Sequence, residues 1–385
     1  MPNFDQKYDL LKQAEKKYSK LSDIKDIFEK IIHNQRLSKQ DGLKLYESSD
    51  ILAIGMLADF ARQNRLGNSE KTDYVYWINN HHLNLTNICE GSCKFCAYRR
   101  KENEKDAFLY SIDQAIEYIE TKIDKNISEI HIVSALNPEC NLEYYINLLK
   151  NCKKILPNTH IQAFTAVEID YLAKISMLTI EETLKELINA GLGSLPGGGA
   201  EIFSGKIREK ICPDKIPGER WLEIMQIAHS LGLKSNATML LGIGESPEDK
   251  IDHILAIRET QDKTEGFMSF IPLFCHYENT ELENHEEFTG FDIIKNYAIS
   301  RLMLDNIEHI KAFWIQAGLK IAQISLSFGV DDLDGTVIEE KITHYAGAKT
   351  GQALSKDELI ILINKTGKIP VQRDTIYNII KIYDE

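Results

Sequence analysis

The sequence predicts an α/β fold: a TIM-type (βα) barrel, full or nearly full, with helical additions at its N-terminal and C-terminal ends. From residue 74 onward, short runs rich in β-branched and aromatic residues alternate with amphipathic stretches of helical period, which is typical of parallel βα units. About seven or eight such units suit a barrel better than an open sheet. No GxGxxG segment follows the first run, which disfavours a dinucleotide-binding sheet.

Residues 1–70 are predicted to form an N-terminal helical extension. Apolar residues recur at three-and-four spacing in DLLKQAEKKYSKL and in DIFEKIIHNQRL. The segment SSDILAIGMLADFARQNRLG has a serine–aspartate cap signal at its start and Gly67 just past its end. We therefore expect helix to follow helix before the barrel begins.

Residues 71–350 are predicted to form the barrel. Its predicted strands are VYWINNHHLNLT, SEIHIVSAL, HIQAFTAVE, GLGSLPG, LKSNATMLLGI, GFMSFIPLF, HIKAFWIQA and KIAQISLSFG. Its predicted helices are SIDQAIEYIETKI, NLEYYINLLKNC, TIEETLKELINA, ERWLEIMQIAHSLG, SPEDKIDHILAIRETQ and FDIIKNYAISRLML. Residues 351–385 are predicted to form a C-terminal helical extension packed on the barrel, because SKDELIILINKTGKIPVQRDTIYNII has the pattern of two helices joined by a turn.

The composition is that of an ordinary globular protein, with 43% apolar and 27% charged residues. The first twenty residues are charged and helical in pattern, so neither a secretory signal nor a membrane span is expected, and the cytoplasm is the expected location. A formal net charge of −13 argues against a nucleic-acid partner held through its phosphates.

Polar segments of unusual composition follow most of the predicted strands. In a barrel of this type the active site lies at the carboxyl ends of the strands. The segments are LTNICEGSCKFCAYRR, SALNPE, TAVE, PGGGAE, LGIGE and CHYENT. We therefore expect them to lie together on one face of the barrel.

Three of the seven cysteines, Cys89, Cys93 and Cys96, lie in the first of these segments. Their spacing is that of metal ligands rather than of a disulfide framework. A structural zinc site normally has four ligands, and His81 or His82 is placed to supply the fourth, so a zinc-stabilised binding protein is one interpretation. The other is a [4Fe–4S] cluster held by three cysteines, with one iron free for a further ligand. A simple iron–sulfur electron carrier would not need so large a scaffold.

The spacing CxxxCxxC after a first barrel strand, with Phe95 before the third cysteine, resembles the signature of radical S-adenosylmethionine (SAM) enzymes. Further segments resemble the aminofutalosine synthases of the futalosine route to menaquinone, from about residue 45 to the C-terminus. They are HHLNLTNICEGSCKFCAYRR, HIQAFTAVEI, PGGGAEIFSGKIREKICPDK, WLEIMQIAHSLGLKSNATMLLG, FIPLFCHYENT, SRLMLDNIEHIKAFW and SFGVDDLDGTVIEEKITHYAGA. Dehypoxanthine futalosine cyclase and the tyrosine-using subunit of deazaflavin synthase are similar families, and either reaction is an alternative.

The resemblance implies a transferase that adds the 5′-deoxyadenosyl radical of SAM to 3-[(1-carboxyvinyl)oxy]benzoate. Aryl migration and loss of bicarbonate or CO2 give 6-amino-6-deoxyfutalosine. It also implies a [4Fe–4S] cluster on Cys89, Cys93 and Cys96, SAM as co-substrate, and a low-potential electron donor such as flavodoxin or ferredoxin.

The resemblance further implies two sets of binding residues. Residues expected to contact SAM are Tyr98, Ser134, Ala135, Glu168, Gly198 and Gly199. Residues expected to contact the acceptor substrate are Glu201, Ser235, Asn236, His276, Asn279, Arg301 and His344. Each has a structural alternative: an ion pair for Glu168 and Arg301, a loop cap for His276, a satisfied structural histidine for His344, and a simple turn for PGGGAE.

Two segments depart from the family pattern. Asn137, in SALNP, stands where the family has a histidine in GGLHP. The segment Leu241-Gly242-Ile243-Gly244-Glu245 replaces a YGHIE-like segment, so any role of that histidine does not carry over. These departures bear on the acceptor substrate more than on the cofactor.

Overall fold

The computed structural model describes residues 23–66, 70–282 and 287–384. Its centre is a curled sheet of seven parallel strands in the order β2-β3-β4-β5-β6-β7-β8. These strands are β2 (Asn80–Leu83), β3 (Glu129–Ile132), β4 (His160–Ala163), β5 (Ser194–Leu195), β6 (Lys234–Leu241), β7 (Phe267–Phe274) and β8 (His309–Ile310). Neighbouring strands are joined by helices, as parallel pairing requires.

A second sheet of four strands lies beside the first, in the order β11-β10-β1-β9. Its strands are β1 (Tyr74–Ile78), β9 (Asp332–Gly335), β10 (Ile369–Arg373) and β11 (Ile379–Ile382). β1 pairs in parallel with β9 and β10, and β11 is antiparallel to β10.

Residues 332–338 link the two edge strands of the seven-stranded sheet. On one side, the Ala312 amide donates to the Asp332 carbonyl oxygen at 2.8 Å. On the other side, the His82 amide donates to the Ile338 carbonyl oxygen at 2.8 Å. The strands therefore surround a common axis, and the predicted TIM-type barrel is confirmed.

All six predicted barrel helices are present. They are Ile112–Lys122, Leu142–Ile155, Ile180–Ala190, Gly218–Ser230, Pro247–Thr264 and Gly290–Met303. Four further helices of this region were not predicted: Ala166–Ser176 and the shorter Gly205–Ile211, Trp314–Ala317 and Ile342–Tyr345. Reciprocal Ser or Thr capping boxes begin several of them, as at Thr165 with Glu168 and at Ser246 with Asp249.

Helices Lys25–Ile32, Lys39–Glu47 and Ile51–Leu66 precede the barrel, and the helix predicted around residues 9–21 lies outside the described residues. Ile27 and Leu57 of these helices belong to the same buried apolar cluster as the barrel helices. The N-terminal helices therefore pack on the barrel. No helix in the described ranges is long and apolar enough to cross a membrane.

The structure differs from the predicted elements in three places. The first predicted strand divides at Asn79, because β1 pairs with β10 while β2 pairs with β3. The predicted strand KIAQISLSFG is instead the helix Leu319–Ser325. After the helix Lys356–Asn364, the predicted second C-terminal helix is instead β10 and β11. In the first and third cases, strand pairing with residues distant in the sequence overrides the local pattern.

Candidate functional site

A cavity of about 350 Å³ extends along the barrel axis. Its lining begins at Cys89, Cys93 and Cys96, in the loop after β2. It reaches as deep as Glu129, the first residue of β3, and Lys311, just after β8. The cavity therefore connects the cysteine loop with the interior of the barrel.

The three cysteines are half-buried, and none of them forms a disulfide. The Cys89 Sγ accepts hydrogen bonds from the amides of Gly91 and Leu136, each at 3.4 Å. Burial raises the pKa of the Cys93 thiol to about 12, although the nearby Lys215 ammonium opposes the shift. Because metal ligands must be thiolates, the charge of a bound cluster has to stabilise them. Three thiols beside amide donors fit a [4Fe–4S] cluster with one open iron.

A [4Fe–4S] cluster and a single zinc ion need different spacings of the three sulfur atoms. Three thiolates on one zinc lie about 4 Å from one another, given zinc–sulfur bonds of about 2.3 Å. In the described part of the chain, no three His, Cys, Asp or Glu side chains are grouped closely enough to hold a single metal ion. In a cluster each cysteine binds a different iron, so the sulfurs lie further apart.

Glu168 lies in the first turn of the helix Ala166–Ser176, not at the end of a strand as predicted. One carboxylate oxygen accepts from the Ser134 amide at 2.9 Å, and the other accepts from the Thr165 amide at 2.7 Å. Burial raises the pKa of Glu168 to about 7, although these hydrogen bonds oppose the shift. Glu168, Ser134 and Ala135 all line the cavity.

The PGGGAE segment forms part of the cavity wall, with Gly198 and Gly199 in the lining. A Cβ atom on Gly197 would lie 2.8 Å from the Ala237 carbonyl carbon, so a side chain there would collide with β6. Gly199 has φ +84°, which favours glycine. The glycines therefore let the backbone lie close to β6 and turn beside the cavity.

Glu201, at the end of this segment, forms an ion pair with Lys215. The Lys215 ammonium also lies 5.0 Å from the centre of the Phe95 ring. Because Phe95 belongs to the cysteine loop, this ion pair connects the glycine segment to that loop. Both charged residues line the cavity, and sequence reasoning missed Lys215.

Tyr98 is buried at the cavity wall, with its ring edge-on to Tyr345 at 5.4 Å. Its hydroxyl has no hydrogen-bond partner among the described residues. The ring therefore packs beside the cysteine loop, and its polar atom is not committed elsewhere in the protein.

Besides Glu201, two residues predicted to contact the acceptor substrate line the cavity. The Asn236 amide lies between Gln162 and Ser269, and its Oδ1 accepts from the Ser269 hydroxyl at 2.9 Å. His276 lies further toward the cysteines, and its Nε2 has no hydrogen-bond partner within the described ranges. Both remain candidates for contact with the substrate.

The other predicted substrate residues lie outside the cavity lining. Ser235 is buried at the start of β6, 2.8 Å from the His229 Nε2. Arg301 is fully buried in an ion pair with Asp331. The Asn279 side chain donates to the Tyr345 carbonyl oxygen at 3.0 Å and lines a neighbouring surface groove that shares Cys96, Ala97 and Arg99 with the cavity.

His344 also lies outside the cavity lining. Its Nδ1 is 2.8 Å from the Glu340 carbonyl oxygen and 3.1 Å from the Glu340 carboxylate. The hydrogen bond to the Glu340 carboxylate raises the pKa of His344 to about 9. The histidine therefore joins loop residues to one another, as in the structural alternative.

The residues that depart from the family pattern in these two segments make structural contacts, whereas Ser134 and Ala135 of the first segment line the cavity. The Glu245 carboxylate accepts from the amides of Gly242 and Ile243 at 2.9 Å and closes its own loop outside the cavity lining. Asn137 is buried, and its Oδ1 accepts from the Glu139 amide at 3.0 Å. Neither segment brings a charged group into the cavity.

Sequence reasoning missed the polar residues in the deep part of the cavity. They are Glu129, His131, Gln162, Lys311 and Asp334, together with His82, which the sequence suggested only as a zinc ligand. Their signal was present, since ionisable residues inside strand-like runs such as HIKAFW and EIHI are unusual in a buried parallel sheet.

Comparisons with known proteins agree with this geometry. Residues 83–257 match the family described as the radical SAM superfamily, and residues 264–385 match the CofH/MqnC C-terminal region. The chain is 40% identical to aminodeoxyfutalosine synthase of Thermus thermophilus, over 93% of this chain and 96% of that protein. This chain belongs to the radical SAM superfamily. As a radical SAM protein, it uses a [4Fe–4S] cluster and SAM.

Other relatives of this radical SAM protein have different names. It is 35% identical to cyclic dehypoxanthine futalosine synthase of Halalkalibacterium halodurans, over 94% of this chain and 96% of that protein. It is 39% identical to 5-amino-6-(D-ribitylamino)uracil–L-tyrosine 4-hydroxyphenyl transferase of Methanococcoides burtonii, over 89% and 96%. The FeFe-hydrogenase maturase HydG of Carboxydothermus hydrogenoformans shares the fold, with a TM-score of 0.72, 14% identity and coverage of 97% and 84%.

Proposed function

We propose that this radical SAM protein is an aminodeoxyfutalosine synthase, a transferase of menaquinone biosynthesis. It joins the 5′-deoxyadenosyl group of SAM to the double bond of 3-[(1-carboxyvinyl)oxy]benzoate. The aryl group migrates, one carboxyl group leaves as bicarbonate or CO2, and 6-amino-6-deoxyfutalosine and methionine are formed. A low-potential donor such as flavodoxin or ferredoxin supplies the electron, and the reaction takes place in the cytoplasm.

The continuity of the cavity is the observation that supports this proposal most. The cysteine loop and the deep barrel interior line one cavity, so SAM bound at the cysteines would face a second substrate directly. Joining two molecules requires that their reacting atoms be held in contact. Identities of 40% and 39% to two aminodeoxyfutalosine synthases, against 35% and 34% to two cyclic dehypoxanthine futalosine synthases, favour the synthase over the cyclase.

In this proposal Cys89, Cys93 and Cys96 hold the cluster. When bound, the cluster supplies the electron that cleaves the S–C5′ bond of SAM. Ser134 and Ala135 line the cavity, and their backbone contacts the amino group of SAM.

The remaining SAM contacts follow from the lining residues. Glu168 accepts a hydrogen bond from a ribose hydroxyl through Oε1, which among the described residues accepts only from the Ser134 amide and has a further lone pair, whereas Oε2 already accepts from the amide and the hydroxyl of Thr165. Tyr98 contacts the adenine, and Gly198 and Gly199 leave room for the nucleoside. Asn236 and His276 contact the acceptor substrate from the cavity wall.

A substrate competition experiment tests the proposal. Anaerobically reconstituted protein is given SAM and reductant, and then one of three acceptors: the enol-ether benzoate, dehypoxanthine futalosine, or the ribityl-uracil with tyrosine. Consumption of the enol-ether benzoate alone, with formation of a single adenosine-containing adduct, is the expected result. Consumption of either other acceptor in its place would assign the chain to that neighbouring activity.

A further inference from the structure

The deep end of the cavity is polar, whereas its middle is apolar. Along two strands, the inward-facing residues change from polar to apolar toward the cysteines: Glu129 and His131 on β3 precede Val133 just after it, and Asn236 and Thr238 precede Leu240 on β6. Ile271, Leu273 and Phe313 also line the cavity. An acceptor that fits must place an apolar body beside the cysteine end and a polar group at the deep end.

Lys311 lies at the deep end of the cavity, and its ammonium has N–H donors without hydrogen-bond partners among the described residues. Its side chain is 7% exposed, and its one hydrogen bond among the described residues goes to the Asp334 carboxylate at 3.3 Å. A charge-assisted hydrogen bond of this kind is normally about 2.7–2.9 Å long, and an ammonium has three donors. Asp334 therefore holds Lys311 in place while leaving donors directed to the cavity. A buried ammonium with unused donors is costly unless a ligand accepts them.

His82 supplies a second unused polar group beside Lys311. Its ring stacks on His131 with centroids 4.5 Å apart, and its nitrogens have no hydrogen-bond partner in the part of the chain that the structure describes. The His131 Nδ1 lies 3.2 Å from the Gln162 Oε1, which fixes the orientation of the stacked pair. Burial lowers the pKa of both histidines, so His82 is neutral and offers one N–H donor.

We propose that Lys311 and His82 form a carboxylate-binding subsite for the aromatic carboxylate of the acceptor. This inference rests on the proposed function. The double bond of the enol-ether benzoate must face the C5′ atom of SAM at the cysteine end. The ring then lies in the apolar middle, and the ring carboxylate, remote from the reacting bond, reaches Lys311. The carboxylates of Glu129 and Asp334 also line the deep end and repel other anions. A carboxylate is therefore bound only where it accepts hydrogen bonds from Lys311 and His82.

The test compares Lys311→Met with the unmodified holoenzyme, using two acceptors: the enol-ether benzoate and the analogue (1-carboxyvinyl)oxybenzene, which lacks the ring carboxylate. The matched control is Lys368→Met, because the Lys368 side chain is only 12% exposed, also pairs with an aspartate at 3.4 Å, and lies outside the cavity lining. We expect the unmodified enzyme to prefer the full substrate about 100-fold in kcat/KM, as for a buried charged hydrogen bond. Lys311→Met should lose most of this preference, and Lys368→Met should keep it.

The outcomes separate the two proposals. Turnover of the full substrate by the unmodified enzyme, with equal use of both acceptors, would overturn the subsite and leave the proposed function intact. Retention of the preference in Lys311→Met would also overturn it. Absence of any adduct with the unmodified enzyme would instead contradict the proposed function. If Lys311→Met does not fold, Lys311→Arg replaces it, since arginine keeps a cation at this position. A preference for the full substrate in both the unmodified enzyme and Lys311→Arg is then the expected result, and equal use of the two acceptors by both proteins would overturn the subsite.

Discussion

Replacing Arg301 distinguishes a structural arginine from a substrate-binding one. Its guanidinium donates to the Gly329 and Glu308 carbonyl oxygens at 2.8 and 2.9 Å, and to the Asp331 carboxylate at 2.8 Å. Arg301→Met removes all three hydrogen bonds and leaves the Asp331 carboxylate buried. Desolvation raises the pKa of the Asp331 carboxyl, but the neighbouring Arg301 guanidinium is the main group that opposes this, and the pKa is lowered to about 2.

The expected cost follows from the burial of the pair. Removing one partner of a buried ion pair destabilises a protein by about 3–5 kcal/mol. His309 and the Ile310 amide still donate to Asp331 in the variant, which favours the lower part of that range. The free energy of unfolding is measured by urea denaturation, and kcat/KM is measured on the folded holoenzyme. We expect a large loss of stability with kcat/KM nearly unchanged.

Arg220 provides the matched control for Arg301. It also pairs with an aspartate, Asp170, at 2.8 Å, but the two side chains are 35% and 25% exposed. Arg220→Met should cost about 1 kcal/mol or less, because exposed ion pairs contribute little. If Arg301→Met unfolds at the same urea concentration as the unmodified protein but raises the KM for the acceptor, the structural role is refuted.

Three further predictions concern the cofactor site and the loops. Cys93→Ala should abolish the brown absorbance and bound iron of the reconstituted protein; unchanged iron content would show that Cys93 is not a ligand. Glu168→Gln should weaken SAM binding about tenfold or more, as for loss of a charged hydrogen bond, with the cluster retained. SAM affinity of the unmodified protein should rise as pH increases through about 7, where Glu168 ionises, and should not do so in Glu168→Gln. His344, with its pKa raised from 6.5 to about 9, stabilises the fold fully below pH 6.5, and this stabilisation is lost as pH rises through about 9. His344→Gln should flatten the fall of the melting temperature across that window, and an unaltered slope would contradict the ion pair with Glu340.

The cysteine loop and the barrel were predictable because their signals are local. Ligand spacing and alternating periodicity are both contained in short segments, and residues such as Glu168 and Gly199 follow from their position after a strand. The pairing of β1 with β10 is not local, since Tyr74 faces Ile369, so the C-terminal strands were mistaken for a helix.

The misplaced site residues have a similar cause. Arg301 lies in the last turn of the helix Gly290–Met303 and is enclosed by carbonyl oxygens and Asp331, whereas Lys311 follows β8 directly and lines the cavity. Which side of a helix or strand faces the cavity depends on strand register and sheet twist, and neither can be read from the type of one residue. Three-dimensional placement therefore decides between a structural and a substrate-binding cation.

The fate of the C5′ atom of SAM tests the proposed reaction most directly. The holoenzyme is given SAM with two deuterium atoms at C5′, reductant and the enol-ether benzoate, and the products are identified by mass spectrometry. The proposal predicts an adduct that contains the adenosine group and both deuterium atoms, formed only when the benzoate is present. Free 5′-deoxyadenosine that has gained a hydrogen from the acceptor, with no adduct, would contradict it.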